Sequence, residues 1–113
     1  MPVAEYDDGL ITCDDDALVI SRYDMFLRPR RIPYRAIRSA TRFEMTRWRG
    51  KWRIWGSGDL RHWFNYDRNR PNKQVAFVLD VGKKMLPVIT PDKPEQVAAV
   101  LRKHGVEVEE AEA

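Results

Sequence analysis

Cysteine and histidine are scarce in this chain of 113 residues, which holds one cysteine, Cys13, and two histidines, His62 and His104. A lone cysteine excludes an internal disulfide, leaves too few ligands for a structural zinc site and is typical of a reducing compartment. The chain also lacks a nucleophile elbow, a phosphate-binding loop and any metal-ligand spacing. We therefore expect a non-enzymatic protein without a cofactor or a metal, in which His104 serves the end of a helix.

The acidic triplet Asp14 to Asp16 is the remaining place for a hard cation or a catalytic acid. It lacks the spaced ligands, the turn glycine and the distal glutamate of a calcium loop, so we interpret it as a solvated hairpin turn. The "GSG" at 56–58 neither follows a parallel strand nor opens a helix, and it is interpreted as a bulge or hinge loop. An enzyme would require one cleft to bring together five residues: Asp14, Asp15, Asp16, His62 and Asp67.

Long apolar runs are missing as well. The longest, "ALVI" at 17–20 and "VAFVL" at 75–79, fall far short of the roughly 20 residues that cross a bilayer. The first residues, "MPVAEYDDGL", lack the basic and apolar regions of a secretory signal. We expect a cytoplasmic protein, with the inner face of the membrane as one place where it acts.

Basic residues are absent from the first 21 positions, which carry six acids. Residues 22–70 carry fourteen bases and four acids, and the remainder six bases and seven acids, which leaves a net charge of +3. An anionic partner should therefore meet the middle of the chain.

The spacing of turn residues predicts short strands followed by one helix. Hairpins are expected over "GLITCDDDALVISRY" and "QVAFVLDVGKKMLPVIT", and Arg42 is assigned to a solvated strand face. The pattern Asp92-x-x-Glu95 predicts a capping box for a helix over about 92–104, which Gly105 ends. The chain has 43% hydrophobic residues, which suffices for one folded domain. We predict an acidic segment at 1–8, one domain at 9–105 and a disordered acidic tail at 106–113.

Four stretches together resemble the small bacterial pleckstrin-homology-like (PH-like) domains: "ITCDDDALVI", "RRIPYRAIRSATR", "WRIWGSGD" and "AFVLDVGKKMLPVITPDKPEQVAAVL". The resemblance implies a mainly β fold, a PH-like barrel of about seven antiparallel strands in two near-orthogonal sheets, capped by the C-terminal helix. It also implies a binding or assembly module rather than an enzyme. In lipid-binding relatives the first hairpin loop is basic, whereas "CDDDA" here would repel phosphate, so no phosphoinositide is expected there.

The stretch "RWRGKWRIW" at 47–55 alternates cations with tryptophans and glycine. On a straight strand the cations form one row while Trp48 and Trp52 face the core, whereas a turn at Gly50 would bring both sets to one surface. A second group of arginines lies upstream, in adjacent strands of the predicted sheet. The candidate binding residues are Arg28, Arg30, Arg31, Arg35, Arg47, Trp48, Arg49, Lys51, Trp52, Arg53 and Trp55.

Two functions fit this surface. The first is association with a protein partner or with a second copy of the chain, because tryptophan and arginine dominate interface energies. The alternative is electrostatic binding of nucleic acid or anionic lipid through the arginine row. A strand with a merely solvated basic face is the third interpretation, in which the arginines pair with the N-terminal acids.

Overall fold

A computed structural model describes residues 4–24, 26–44, 62–67 and 70–110. The first of its two sheets is antiparallel and has the strand order β1-β2-β3-β4. Its strands are β1 (Tyr6–Asp7), β2 (Ile11–Cys13), β3 (Ala17–Ile20) and β4 (Arg30–Pro33). β2 and β3 form the first predicted hairpin, and alternation places Leu18 and Ile20 in the core because side chains switch faces at each residue.

The second sheet has five strands in the order β6-β8-β7-β5-β9. They are β5 (Ser39–Glu44), β6 (His62–Phe64), β7 (Val75–Asp80), β8 (Leu86–Ile89) and β9 (Glu107–Glu110). The second predicted hairpin is confirmed as β7 and β8. Over the ranges described, the two sheets are hydrogen-bonded separately and do not close into a barrel. The predicted mainly β fold with two sheets and a C-terminal helix is confirmed.

An entirely antiparallel arrangement is wrong at both edges of the second sheet. β6 pairs with β8, and β9 pairs with β5, in parallel. The direction of β9 follows from the helix α1 (Pro94–Lys103), which returns the chain after β8 so that β9 runs the same way as β5. The sequence shows no sign of this crossover, because it depends on the path of the helix across the sheet.

Apolar side chains cover both faces of the second sheet. Phe77 and Leu79 of β7 face the main core, which is shared with the first sheet and α1, and Val75 and Val81 pack against it as the alternation predicts. Ala76 faces a smaller cluster on the opposite side. The prediction of a solvated face for Arg42 is wrong, because Arg42 forms an ion pair with Glu95 of α1 and is partly covered by the helix.

The predicted helix is confirmed, but its predicted capping box is wrong. Lys93 is the N-cap residue and makes no side-chain cap bond. The backbone N–H of Lys93 instead donates to Tyr6 Oη, and that of Asp92 donates to Asp8 Oδ2. Tyr6 of β1 and the nearby Asp8 thus supply acceptors for the start of the helix, and these bonds attach the N-terminal segment to the domain.

The C-terminal end of α1 is closed as the sequence predicts. Gly105 has a φ of +83°, in the left-handed region that favours glycine. Its N–H donates to the carbonyl of Arg102, and the N–H of the buried Val106 donates to the carbonyl of Leu101, which is the Schellman pattern.

The division into an acidic segment, a domain and a tail needs two corrections. Residues 6–7 of the N-terminal segment form a strand of the first sheet. The predicted disorder of 106–113 is wrong over Glu107–Glu110, because β9 pairs with β5 and Val108 packs against the main core. Backbone pairing and two valines hold this segment despite its glutamates, and residues 111–113 lie outside the described residues.

Candidate functional site

The loop between β3 and β4 exposes two large apolar side chains. Phe26 is 78% exposed and Leu27 is 47% exposed. Exposed apolar side chains are common singly, but two adjacent ones at the tip of a loop make a contact surface. We call this tip together with Arg28 and Arg30 the loop surface.

Asp24 fixes the conformation of this loop. Its Oδ1 accepts the backbone N–H groups of Phe26 and Arg28, at 2.8 and 2.9 Å. Its backbone carbonyl accepts the N–H of Leu27 at 2.9 Å. Leu27 has a φ of +59°, which a residue with a branched side chain rarely adopts and which these bonds hold in place. These bonds hold the backbone at Phe26, Leu27 and Arg28.

The stem of the loop is attached to β6 and the residues after it. Trp63 Nε1 donates to the carbonyl of Tyr23 at 2.5 Å, and Asn65 Nδ2 donates to that of Ser21 at 3.2 Å. The backbone N–H of Tyr66 donates to the carbonyl of Arg22 at 2.8 Å. These three bonds join the first sheet to the second beside the loop surface.

The arginines of the loop surface lie over aromatic rings. Arg28 Nε forms a 2.7 Å ion pair with Asp24 Oδ2, and its guanidinium lies 5.2 Å from the centre of the Phe26 ring. Arg30 Nη1 donates to Tyr23 Oη at 2.8 Å and lies 5.1 Å from the centre of that ring. Burial raises the pKa of the Tyr23 hydroxyl, against the opposing effect of Arg30.

The remaining described candidate residues follow along β4 and are not brought into this cluster. Arg31 points to the first hairpin, where its Nη1 lies 2.7 Å from Asp14 Oδ2. Its hydrogen bond, with those from the N–H groups of Asp16 and Ala17, holds the pKa of Asp14 below its usual range, against burial. Arg35 is exposed in a 3-10 turn over Tyr34–Ala36.

Seven predicted site residues lie outside the described residues, as do Gly50 and the "GSG" at 56–58. The seven are Arg47, Trp48, Arg49, Lys51, Trp52, Arg53 and Trp55. A single surface formed by the two basic regions therefore stays a prediction.

The acidic triplet is a turn in which the three carboxylates differ. Asp14 is buried and braces the hairpin, whereas Asp15 and Asp16 are exposed. In the part of the chain that the structure describes, no group of three or more histidine, cysteine or carboxylate side chains is placed to hold a metal ion. The nearby Cys13 is buried, and burial raises the pKa of its thiol to about 12.

The two histidines and the Asp67 region lie in different surroundings. The His104 ring stacks on Tyr34 with centres 4.2 Å apart, and its Nε2 lies 2.9 Å from Glu5 Oε2. The His104 side chain therefore stabilises the end of α1 through Tyr34 and Glu5, and not through the terminal carbonyls of the helix. His62 belongs to β6 in the second sheet.

A buried polar cluster lies behind the stem of the loop, and sequence reasoning missed it. Lys73 Nζ lies 2.7 Å from Asp67 Oδ2 and donates to the carbonyl of Thr90 at 2.7 Å. Arg70 Nη2 donates to Asn65 Oδ1 at 2.8 Å, and Arg70 Nε donates to Thr90 Oγ1 at 3.2 Å. We call these five residues the buried polar cluster.

Arg70 is fully buried, and burial lowers its pKa to about 10, against the opposing effect of Asp67. Through Asn65, which also bonds Ser21, the cluster supports the stem of the loop. The sequence signal that points to it is the run "NYDRNRPNK", in which charged residues follow a strand without an alternating pattern.

Comparison with protein-family models, with curated proteins and with solved structures finds no match to this chain. In the described ranges, no helix combines the length and apolar character needed to cross a membrane. The chemistry of the loop surface therefore rests on its own residues.

Proposed function

We propose that this chain is a non-enzymatic binding or assembly module of the PH-like type, which associates with a protein partner, including a second copy of itself, through the loop surface. In this proposal the two sheets and the C-terminal helix belong to a PH-like barrel. The module acts in the bacterial cytoplasm, including the inner face of the membrane.

The exposed pair Phe26 and Leu27, held on a hydrogen-bonded loop, carries the proposal. Transferring one such side chain from water to an apolar pocket contributes about 1.5 to 3 kcal/mol. Because Asp24 already fixes the loop, little conformational freedom remains to be lost on binding. An aromatic anchor beside arginines is the composition of a protein interface centre.

The charges of this region favour a protein over a nucleic acid. Arg28 and Arg31 each form an ion pair with an aspartate of the same chain, so their charges are partly neutralised before any ligand binds. When protein cations neutralise the phosphates of a nucleic acid, its counterions are released, and this release drives binding. Cations that are already paired within the chain contribute less to that release. An apolar pocket with an acidic rim matches Phe26, Leu27 and the arginines better.

Photo-crosslinking from position 26 tests the proposal. Phe26 is replaced by p-benzoylphenylalanine in the full chain, and the cells that express it are irradiated. A matched variant carries the same group at Arg102, an exposed position on α1. Both sites are exposed, so both variants should fold, which circular dichroism checks.

We expect a discrete protein adduct from position 26 and none from position 102. An adduct of twice the mass of the 13.3 kDa chain identifies self-association, and a larger one identifies a different protein. The absence of a protein adduct from position 26 overturns the proposal, and a lipid or nucleic-acid adduct in its place favours the electrostatic alternative.

A further inference from the structure

A second surface, on the opposite side of β5 and β7 from the main core, forms a groove of about 570 Å³. Three cations line it: Arg38, which immediately precedes β5, and Lys83 and Lys84 from the turn between β7 and β8. The backbone of the sheet brings them together, because the N–H of Arg38 donates to the carbonyl of Asp80 at 2.7 Å. The hydroxyl-bearing Ser39 and Thr41 also line the groove.

Arg28 of the loop surface is paired with Asp24, whereas the three cations of this groove have no such ion pair among the described residues. Among the described residues, no carboxylate lies within ion-pair distance of Arg38, Lys83 or Lys84. Asp80 also lines the groove, as its one carboxylate among the described residues, and its Oδ1 accepts the N–H of Gly82 at 2.9 Å. The groove therefore holds an excess of positive charge.

Gly82 gives Arg38 its position. A Cβ atom on Gly82 would lie 3.2 Å from both Nε and Nη2 of Arg38 and 3.3 Å from its Cζ. The guanidinium therefore packs closely against the turn, and an added Cβ would make it shift by a few tenths of an ångström. Gly82 has a φ of +75°, so the turn itself also favours glycine. This contact places the guanidinium of the exposed Arg38 beside the turn.

We propose that this groove binds a phosphate monoester. A planar guanidinium matches two phosphate oxygens at once, and the two lysines supply further charge for a dianion. The hydroxyls of Ser39 and Thr41 offer neutral donors, and Val78 and Leu86 form an apolar wall beside them for the remainder of the ligand. A monocarboxylate carries half the charge of the monoester and should bind more weakly. The proposal is independent of the loop surface.

Calorimetric titration with phenyl phosphate at low salt tests the groove, with benzoate as the monoanionic probe. Arg38→Gln removes the guanidinium, and Gly82→Ala keeps every charge but displaces the guanidinium. Arg102→Gln, on the exposed side of α1, is the matched control for loss of one charge. Circular dichroism checks that each variant is folded.

We expect phenyl phosphate to bind more tightly than benzoate and Arg38→Gln to weaken its binding by about tenfold or more. Gly82→Ala should weaken it as well, and Arg102→Gln should leave it unchanged. Vesicles with phosphatidic acid, compared with phosphatidylcholine alone, distinguish a lipid monoester from a free one. Phosphatidic acid binding that Arg38→Gln removes supports the proposal with a lipid source. The proposal is overturned if neither monoester binds, if benzoate binds equally, or if Arg38→Gln binds like the parent.

Discussion

Arg70 and Arg28 carry the same charge in opposite surroundings. Arg70 is fully buried and donates to Asn65 and Thr90 inside the protein. The side chain of Arg28 is 70% exposed and pairs with Asp24 on the surface. A buried charge must keep its partners, because water is not there to replace them, whereas an exposed one exchanges partners at little cost. Among the basic residues that the structure describes, Arg70 thus belongs to a structural set and Arg28 to a set available for binding.

The buried polar cluster should show the largest effect. Lys73→Met leaves Asp67 buried without its ammonium partner, and we expect a loss of about 3 to 5 kcal/mol in the free energy of unfolding. Urea denaturation measures this change.

The double variant Asp67→Leu with Lys73→Met is the control for this prediction. It removes both charges, so it should lose less than the sum of the two single changes. If the single variant loses under about 1 kcal/mol, the ion pair of Lys73 with Asp67 does not belong to the structural set.

An intermediate effect is expected at Tyr6, which is buried like Arg70 but carries a neutral hydroxyl in place of a charge. Its hydroxyl donates to Asp8 Oδ2 at 2.6 Å and accepts the N–H of Lys93 at 3.0 Å. Tyr6→Phe removes both bonds at the start of α1, and we expect a loss of about 1 to 2 kcal/mol. Thermal unfolding measures it, and an unchanged midpoint would show that the hydroxyl does not clamp the helix.

Asp8 makes the stability depend on pH. Burial would raise the pKa of its carboxyl, but hydrogen bonds from Tyr6 Oη and from backbone N–H groups together outweigh it, so the pKa lies below its usual range. The ionised form therefore stabilises the folded state above the unfolded pKa of about 3.9. That contribution is lost as the pH falls through the lower, folded pKa.

The difference in unfolding free energy between the parent and Asp8→Asn reports this contribution. We expect the difference to be constant near neutral pH and to shrink in acid, as the parent protonates. Denaturation at a series of pH values measures it. A difference that grows in acid would contradict the assignment.

The smallest effect is expected for the pair of Arg31 and Asp14. The side chain of Arg31 is half exposed, so water weakens its attraction to Asp14, and Asp14 keeps the N–H groups of Asp16 and Ala17 on its Oδ1 when Arg31 is replaced. Arg31→Gln should therefore leave the thermal midpoint within error. A clear loss of stability would place Arg31 in the structural set.

The hairpins and the end of the helix follow from the sequence because their signals are local. Alternation over β2 and β3 and over β7 and β8 depends only on which neighbours are apolar, and Gly105 satisfies a requirement within one turn of the chain. The start of the helix does not follow from it. Its acceptors, Tyr6 and Asp8, are more than eighty positions away in the sequence.

The candidate site was predicted only in part for a similar reason. Arg28 and Arg30 were found by charge, but Phe26 and Leu27 were not, because an apolar pair is usually buried and no local pattern shows that a loop exposes it. Lys73 contacts Asp67 and Thr90, which lie in two separate segments that only the folded chain brings together.

The most direct test of the loop surface is the yield of protein adduct from p-benzoylphenylalanine at position 26, compared between the parent and an Arg28→Glu background. Because Arg28 is exposed, the change should leave the thermal midpoint near that of the parent while it opposes an acidic partner. We predict that the chain with p-benzoylphenylalanine at position 26 gives an abundant adduct, and that the further change Arg28→Glu removes this adduct. An adduct of equal yield in both, or none in the parent, would contradict the assignment of this surface to protein association.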